Sequence, residues 1–288
     1  MKVSQRNKSE ESFANVGGSI RDYKFISKIS QGTYGKVDLY EKDGKQYAIK
    51  AFTNKKMGVL HLTTARELKA LTNLKKCKYL ITLEKVVFSD KEILAIFPYC
   101  STSLTDKKYD CVSDLVEHFK QIVMGIQEIH AHGYLHRDLK SSNIMIDSNN
   151  KIRIIDFGMT RSVQPLMTSM VTTLWYRAPE LLEHGSKNIY AKYSYKIDIW
   201  SLGIILMEML LGYPPCKTNC EIEQLKIYKR DLVDLNIKYY FLPEKAKDLL
   251  NKILQFEPEK RFTLEDILNH DFCTIKQTEK MTYFNLPE

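Results

Sequence analysis

Five charged or amide side chains, His136, Arg137, Asp138, Lys140 and Asn143, crowd into "YLHRDLKSSNIMI" at residues 134–146, between the apolar flanks Tyr134-Leu135 and Ile144-Met145-Ile146. Polarity that close to a core must be hydrogen-bonded or used in chemistry. Asp156 follows at the end of a β-branched run in "IRIIDFGMT", residues 152–160, directly before Phe157-Gly158. Asp138, Asn143 and Asp156 together offer a base and hard oxygen ligands for a magnesium ion, the set that phosphoryl transfer requires. An acid beside a glycine also serves as a turn residue, and that reading of Asp156 stays open.

Three features upstream suit the same chemistry. "SQGTYGKV" at 30–37 lies between two strand-like runs, and Gly32 and Gly35 would let a β-turn-β flap bring backbone N–H groups onto phosphates. "YAIK" ends in Lys50, on a strand whose other face is apolar, and Glu67 lies on a following helix where it could pair with that lysine. Taken singly, each has a plain structural alternative: a hairpin turn, a strand lysine facing solvent, one solvated helix charge among many.

The elements that must position these groups change character along the chain. Residues 1–22 are polar, glycine-bearing and without periodicity, a flexible lead-in. From Tyr23 to Phe97 the runs "YKFISKIS", "KVDLYEKDG", "KQYAIKAF", "ITLEKVVFSD" and "EILAIFPY" read as strands, with Asp43-Gly44 a hairpin turn. One helix interrupts them, "LTTARELKALTNL", with Ala65, Leu68, Leu71 and Leu74 on one face. After Ser101 the pattern turns helical. "SDLVEHFKQIVMGIQEIHAHG" has Ser113 as its expected N-cap and Gly133 as its stop, and further helices are expected around 198–211, 221–230, 244–255 and 263–269. The class is α+β: a small β-rich lobe with one main helix, then a larger, mostly helical lobe.

Composition sets bounds on function. The chain of 288 residues is 44% hydrophobic and 27% charged, as a globular protein is. Its net charge of +8 is spread along the whole chain without a basic block, so no nucleic-acid partner is expected. "IWSLGIILM" at 199–207 is stopped by Glu208 and is far short of the ~20 residues of a membrane helix, so no membrane association is expected. The six cysteines have no regular spacing and no secretory signal opens the sequence, which points to reduced thiols in the cytosol or nucleus.

Taken in order, the motifs carry a resemblance. A glycine-rich loop, the "AIK" lysine, "HRDLKSSN", "DFG", "APE" at 178–180 and "DIWSLG" at 198–203 resemble a eukaryotic protein kinase over about residues 23–273, with lobes at 23–97 and 101–273 and a tail at 274–288. The resemblance implies ATP and Mg²⁺. It gives Asp138 the substrate hydroxyl's proton, Lys140 the transferring phosphoryl, Asn143 and Asp156 the metal, and Lys50 with Glu67 the α and β phosphates. Ile29, Ser30, Gly32, Gly35 and Val37 would form the flap over the nucleotide. Phe97 would be the gatekeeper, with Pro98 and Cys100 binding adenine through their backbones. "DLK" resembles serine/threonine rather than tyrosine kinases.

More narrowly, "GTYGKV", "ARELKAL", "VTTLWYRAPELL" and "EIEQLKIYKR" are similar to the cyclin-dependent kinases, which implies protein substrates, a cyclin-like activating subunit, a cell-division role and residence in nucleus or cytoplasm. In that group Arg177 accompanies a preference for proline after the phosphoacceptor, and Thr173 supports the docking site. Thr33 and Tyr34 match inhibitory phosphorylation positions. Thr168 matches the activating threonine, with Arg66, Arg137 and Arg161 where its phosphate is received. The chain also departs from the group. Ser30 replaces the first loop glycine, "HLTTARE" with Ala65 stands where cyclin is engaged, and the region from Gly212 to Glu244 is short.

Overall fold

The computed structural model describes residues 20–32, 35–53, 62–88, 92–168, 171–185, 190–233 and 235–274. The chain forms two compact units, one of Met1–Lys76 with Ile81–Cys100 and one of Cys77–Leu80 with Ser101–Glu288. Sheet dominates the first and helix the second, as the sequence pattern requires of the α+β class.

In the first unit, β1 (Lys24–Gly32), β2 (Gly35–Lys42), β3 (Lys45–Thr53), β4 (Lys85–Phe88) and β5 (Glu92–Pro98) pair antiparallel in the order β1-β2-β3-β5-β4. Asp43 and Gly44 both take positive φ, +50° and +71°, and close a two-residue hairpin with Lys42 opposite Lys45. That is the backbone whose twist matches the strands. Gly35 has no substitute: its φ is +138°, and a Cβ there would lie 2.3 Å from the Ala51 carbonyl oxygen. Ile49, Ala51, Val87, Leu94 and Ile96 make the core of one sheet face. Strand alternation sends Ala48, Lys50 and Phe52 to the other, towards α1 (Leu62–Asn73). The expected helical face holds at Leu68, Leu71 and Leu74, while Ala65 is only half-buried and Glu67, an acid, is buried with them.

The second unit is built on α2 (Val112–Ala131) and α4 (Lys196–Leu211), with α3 (Pro179–Gly185), α5 (Glu221–Asp231), α6 (Leu235–Lys238), α7 (Glu244–Ile253) and α8 (Leu264–Asn269) around them. Every residue of α4 from Ile197 to Leu210 is buried. A helix apolar all round is a core helix, and its few polar side chains must then find partners inside. Short strands carry the loops: β6 (Thr102–Ser103), β8 (Ile144–Ile146) and β9 (Ile152–Ile154) form one sheet. β7 (Tyr134–Leu135) pairs with β10 (Arg161–Ser162), and β11 (Met167–Thr168) with β12 (Tyr190–Ala191).

Two expectations need correction. The α2 N-cap is Cys111, not Ser113: Cys111 has extended backbone and the helix begins at Val112, so Ser113 lies inside the first turn with its Oγ 3.2 Å from the cysteine sulfur. Residues 77–80, read as part of the first lobe, belong to the second unit. The Lys78 and Tyr79 amides donate to Glu128 of α2 at 3.1 and 3.4 Å, and the Tyr79 carbonyl accepts from Ile154 at 2.8 Å. All six cysteines are free thiols, and burial pushes Cys77 up to about 11.

Candidate active site

The segment with the densest polarity hangs from a single buried acid. Asp198, in the first turn of α4, accepts the backbone N–H of His136 at 2.9 Å, that of Arg137 at 3.0 Å and Nε2 of His130 at 2.9 Å. Burial works to raise its pKa, but the hydrogen bond and charge of His130 and the contacts of His136 outweigh it and hold the carboxyl below its ordinary value. Those bonds fix an unfavourable backbone, since Arg137 has φ +67°. A left-handed non-glycine residue of this kind costs about 1–3 kcal/mol. His136 reaches the Ile155 carbonyl through Nε2 at 3.2 Å and accepts the Asp138 amide on Nδ1 at 3.3 Å, so this loop is tied to the strand end that precedes Asp156.

Asp138 is held on both oxygens. Oδ1 accepts the Thr173 amide at 2.9 Å and hydroxyl at 3.0 Å, and Oδ2 accepts Lys140 Nζ at 2.8 Å and Asn143 Nδ2 at 3.3 Å. Burial pushes its pKa up, but Lys140, His136 and Thr173 outweigh that and keep it ionised below the ordinary value. Asn143 also donates Nδ2 to the Asp138 carbonyl at 2.8 Å, which commits its nitrogen inward and leaves Oδ1 for a hard cation. Its own carbonyl accepts the Ile155 amide at 2.9 Å, one residue before Asp156. Asp156 has φ +61°, and its Oδ1 accepts the Gly158 amide at 3.3 Å. Among the described residues no three His, Cys, Asp or Glu side chains converge as a metal cage. Magnesium fits the arrangement that is present, because it is bound by one or two protein oxygens together with substrate phosphates.

In the first unit Lys50 Nζ is 2.6 Å from Glu67 Oε1, the pair expected from the sequence, and lies 5.1 Å above the Phe52 ring. Glu67 is 3% exposed, too buried for a solvated helix charge. Phe97, buried, pairs with Ala48, and Pro98 with Tyr47 at the last rung of the sheet, where no N–H is required of it. Cys100 is buried two residues on, and the Tyr99 amide between them donates to the Gln46 carbonyl at 3.2 Å. Ile29 and Ser30 are exposed on β1, Val37 pairs with Ser30, and Gly32 faces Gly35. Thr33 and Tyr34 lie outside the described residues.

The segment after Gly158 carries the remaining sequence candidates. Thr168, half-exposed on β11, has its Oγ1 3.5 Å from Nη1 of Arg137, and its carbonyl accepts the Tyr193 hydroxyl at 2.8 Å, which itself accepts from Arg137 at 2.8 Å. Arg161 is engaged by Gln164 at 2.6 Å rather than by Thr168. Arg66 is an exposed residue of α1 in the first unit. Thr173 bridges Asp138 and Lys140, the latter at 2.9 Å. Arg177 donates Nε and Nη2 to the Thr172 carbonyl at 3.2 and 2.9 Å and pairs with Glu221 through Nη1. Thr172 has φ +68°, and its hydroxyl donates to the Arg137 carbonyl at 2.8 Å.

Several supports had no stated role in the sequence reading. Glu208, the acid that stops the apolar run, accepts the Tyr176 hydroxyl at 2.6 Å and the Ser141 hydroxyl inside the core. Arg261, fully buried, grips Glu180 with both ends at 2.8 and 2.6 Å over the Trp200 ring. Asp198 and Glu180 stand within quoted motifs, so a charge inside an apolar or turn motif was the available signal. Glu221 likewise opens the quoted "EIEQLKIYKR", while nothing marked Arg261 or Tyr193.

A model of the protein kinase domain matches residues 23–273. The chain belongs to the protein kinase family. The kinase is 33% identical to a probable CTD kinase subunit alpha homolog of Encephalitozoon cuniculi, over 87% of this chain and 84% of that one. It is 30% identical to a probable cell division protein kinase of the same organism, over 92% and 93%. It is also 36% identical to the mitogen-activated protein kinase HOG1 of Kluyveromyces lactis, over 75% of this chain and 54% of that one. The kinase is accordingly a serine/threonine kinase of the CMGC, cyclin-dependent type, and ATP is its phosphoryl donor.

Proposed function

We propose that the kinase phosphorylates serine or threonine followed by proline in protein substrates, using ATP and Mg²⁺, in the control of cell division. The observation that carries the proline preference is the Thr172 carbonyl, turned by a left-handed backbone onto the Arg177 guanidinium. A residue docking after the phosphoacceptor there finds no acceptor for its N–H. An unsatisfied donor costs about 1–3 kcal/mol, and proline has none to lose. On matched peptides, proline after the acceptor should therefore raise kcat/KM about 5- to 150-fold over alanine. Equal rates would reject this reading.

In the transfer step the substrate hydroxyl oxygen forms a bond to the γ-phosphorus, the bond from that phosphorus to the β–γ bridging oxygen breaks, and ADP leaves. The Asp138 carboxylate orients the hydroxyl and takes its proton, while Lys140 sits where it can neutralise the transferring group. Lys50, fixed by Glu67, holds the α and β phosphates beneath the flap of Ile29, Ser30, Gly32, Gly35 and Val37. Phe97, Pro98 and Cys100 receive the adenine. Asn143 Oδ1 and Asp156 would hold Mg²⁺, which would supply charge neutralisation of the phosphates.

The cell-division role draws on the name of the second Encephalitozoon relative, a probable cell division protein kinase. It brings with it a cyclin-like subunit and residence in nucleus or cytoplasm. Similarity to HOG1 favours a second reading, a mitogen-activated-type kinase without a cyclin. Co-purification from native cells separates them: a cyclin in the complex supports the first and its absence the second.

Regulation is proposed at Thr168. Arg137 already lies beside its hydroxyl, and a phosphate of about −2 charge makes one to three charge-assisted hydrogen bonds with such a site. One such bond is worth ~1.5–3 kcal/mol. Phosphorylation of Thr168 should accordingly raise activity about tenfold or more, with Arg66 and Arg161 as further receivers. Thr168→Ala should remove the gain, and an unchanged gain in that variant, assayed with any activating subunit present, would refute the proposal. Thr33 and Tyr34 are proposed as inhibitory sites, where added charge opposes ATP.

A further inference from the structure

We propose that Glu221, in the first turn of α5, is a specificity-determining positioning residue: it anchors Arg177 on the Thr172 carbonyl and so sets the choice of residue after the phosphoacceptor. The inference rests on the proline-directed reading above and adds to it the group that keeps the carbonyl occupied. Arg177 presents a planar fork of donors. Nε and Nη2 share the Thr172 carbonyl oxygen, and Nη1 pairs with Oε1 of Glu221. One carbonyl is a modest partner for a long cationic side chain, and an arginine without an anchor samples solvent. The carboxylate supplies the anchor and fixes the plane of the fork.

Glu221 is itself well held. The start of a helix favours an acid, and α5 and the loop just before it are each tied to the turn at Leu174–Tyr176 by one bond. Trp175 Nε1 donates to the Thr218 carbonyl at 2.8 Å, and the Tyr228 hydroxyl donates to the Trp175 carbonyl at 2.7 Å. The carboxylate therefore has a fixed place relative to Thr172 and Arg177. Its side chain keeps 26% of its exposure, and that of Arg177 keeps 12%, so the pair is accessible enough to be altered without opening the core.

Loss of the anchor frees the guanidinium to swing away. The Thr172 carbonyl then becomes an acceptor for the N–H of whatever residue follows the phosphoacceptor, and alanine peptides gain what they lacked. The variant should improve the poor substrate instead of damaging the good one, a result that general loss of structure does not produce.

The test uses the full chain with any activating subunit it needs and three peptides identical except after the acceptor serine: proline, alanine and N-methylalanine, the last having no N–H. The wild-type kinase should favour proline and N-methylalanine. In Glu221→Gln, kcat/KM for the alanine peptide should rise so that the proline-to-alanine ratio falls about tenfold, within the cost of the one unsatisfied donor that the variant relieves. Glu221→Asp, which keeps the charge, should recover part of the ratio. A wild-type ratio retained in Glu221→Gln, or a parallel fall on all three peptides, overturns the role of Glu221 and leaves the proline reading standing. A wild-type kinase indifferent to proline defeats that reading and this inference with it.

Discussion

Asp138→Asn should lower kcat by about 10²–10⁴-fold, the usual contribution of a positioned general base, with a KM for ATP within a few-fold of wild type. The variant keeps the shape of the site. An asparagine oxygen can still accept the Thr173 amide and hydroxyl that Oδ1 accepts now. What it cannot do is take a proton, and its amide nitrogen would face Lys140, which is 2.8 Å from the second oxygen. The pH dependence follows from the direction of the shift. The folded pKa of Asp138 lies below the ordinary 3.8, so the carboxylate is fully formed above that value and activity is lost only as pH falls through the depressed pKa. Its acid limb therefore lies below 3.8, and a limb near neutrality belongs to another group. Steady-state rates of the purified variant, with melting confirming its fold, check this. A kcat within threefold of wild type would remove Asp138 from the chemistry.

The parts of this site that were legible in the sequence are those whose residue type is dictated by the reaction. Under the proposed mechanism Asp138, Asn143 and Asp156 must be what they are to move a proton or bind a hard cation, and Lys50 with Glu67 forms a pair of opposite sign. Position in the chain then suffices to find them. The strands and long helices were legible for a similar reason, because period and turn residues such as Asp43-Gly44 are local. Supports are different. Arg261 and Glu180 are 81 residues apart in the chain, and an arginine in "KRFTLED" has no local feature that distinguishes it from a solvated one. The α2 start was misread because a serine just ahead of an apolar period is the commoner cap, whereas here the chain turns two residues earlier. Cys77–Leu80 join the second unit through backbone bonds to Glu128 and Ile154, and backbone amides carry no sequence information.

Asp198 is the support on which most rests, and Asp198→Asn should damage stability and turnover together. The carboxylate accepts three donors with two oxygens, two of them the amides of His136 and Arg137. An asparagine has one acceptor oxygen. Whichever way its amide turns, an N–H group meets another N–H group at a buried position. One buried donor left unsatisfied costs about 1–3 kcal/mol, and a chain of this size loses about 2–4 °C of melting temperature per kcal/mol. A fall of roughly 2–12 °C is therefore expected. The catalytic loss has a separate cause. Arg137 is kept at φ +67° by these bonds, and relaxing it turns the next residue, Asp138, away from Thr173 and Lys140. Turnover should fall at least about tenfold, even at temperatures where the variant is folded. The wild-type protein should also carry a signature that the variant lacks. The folded pKa of Asp198 is held below 3.8, so its stabilising effect is complete above the unfolded value and is lost as pH falls through the depressed one. As pH falls through that range, the stability difference between wild type and Asp198→Asn should narrow. Melting curves from pH 7 downward, read beside kcat at 25 °C, decide the matter. A variant that melts within 1 °C of wild type and keeps half its turnover would show that the catalytic loop is held in place by something other than this carboxylate.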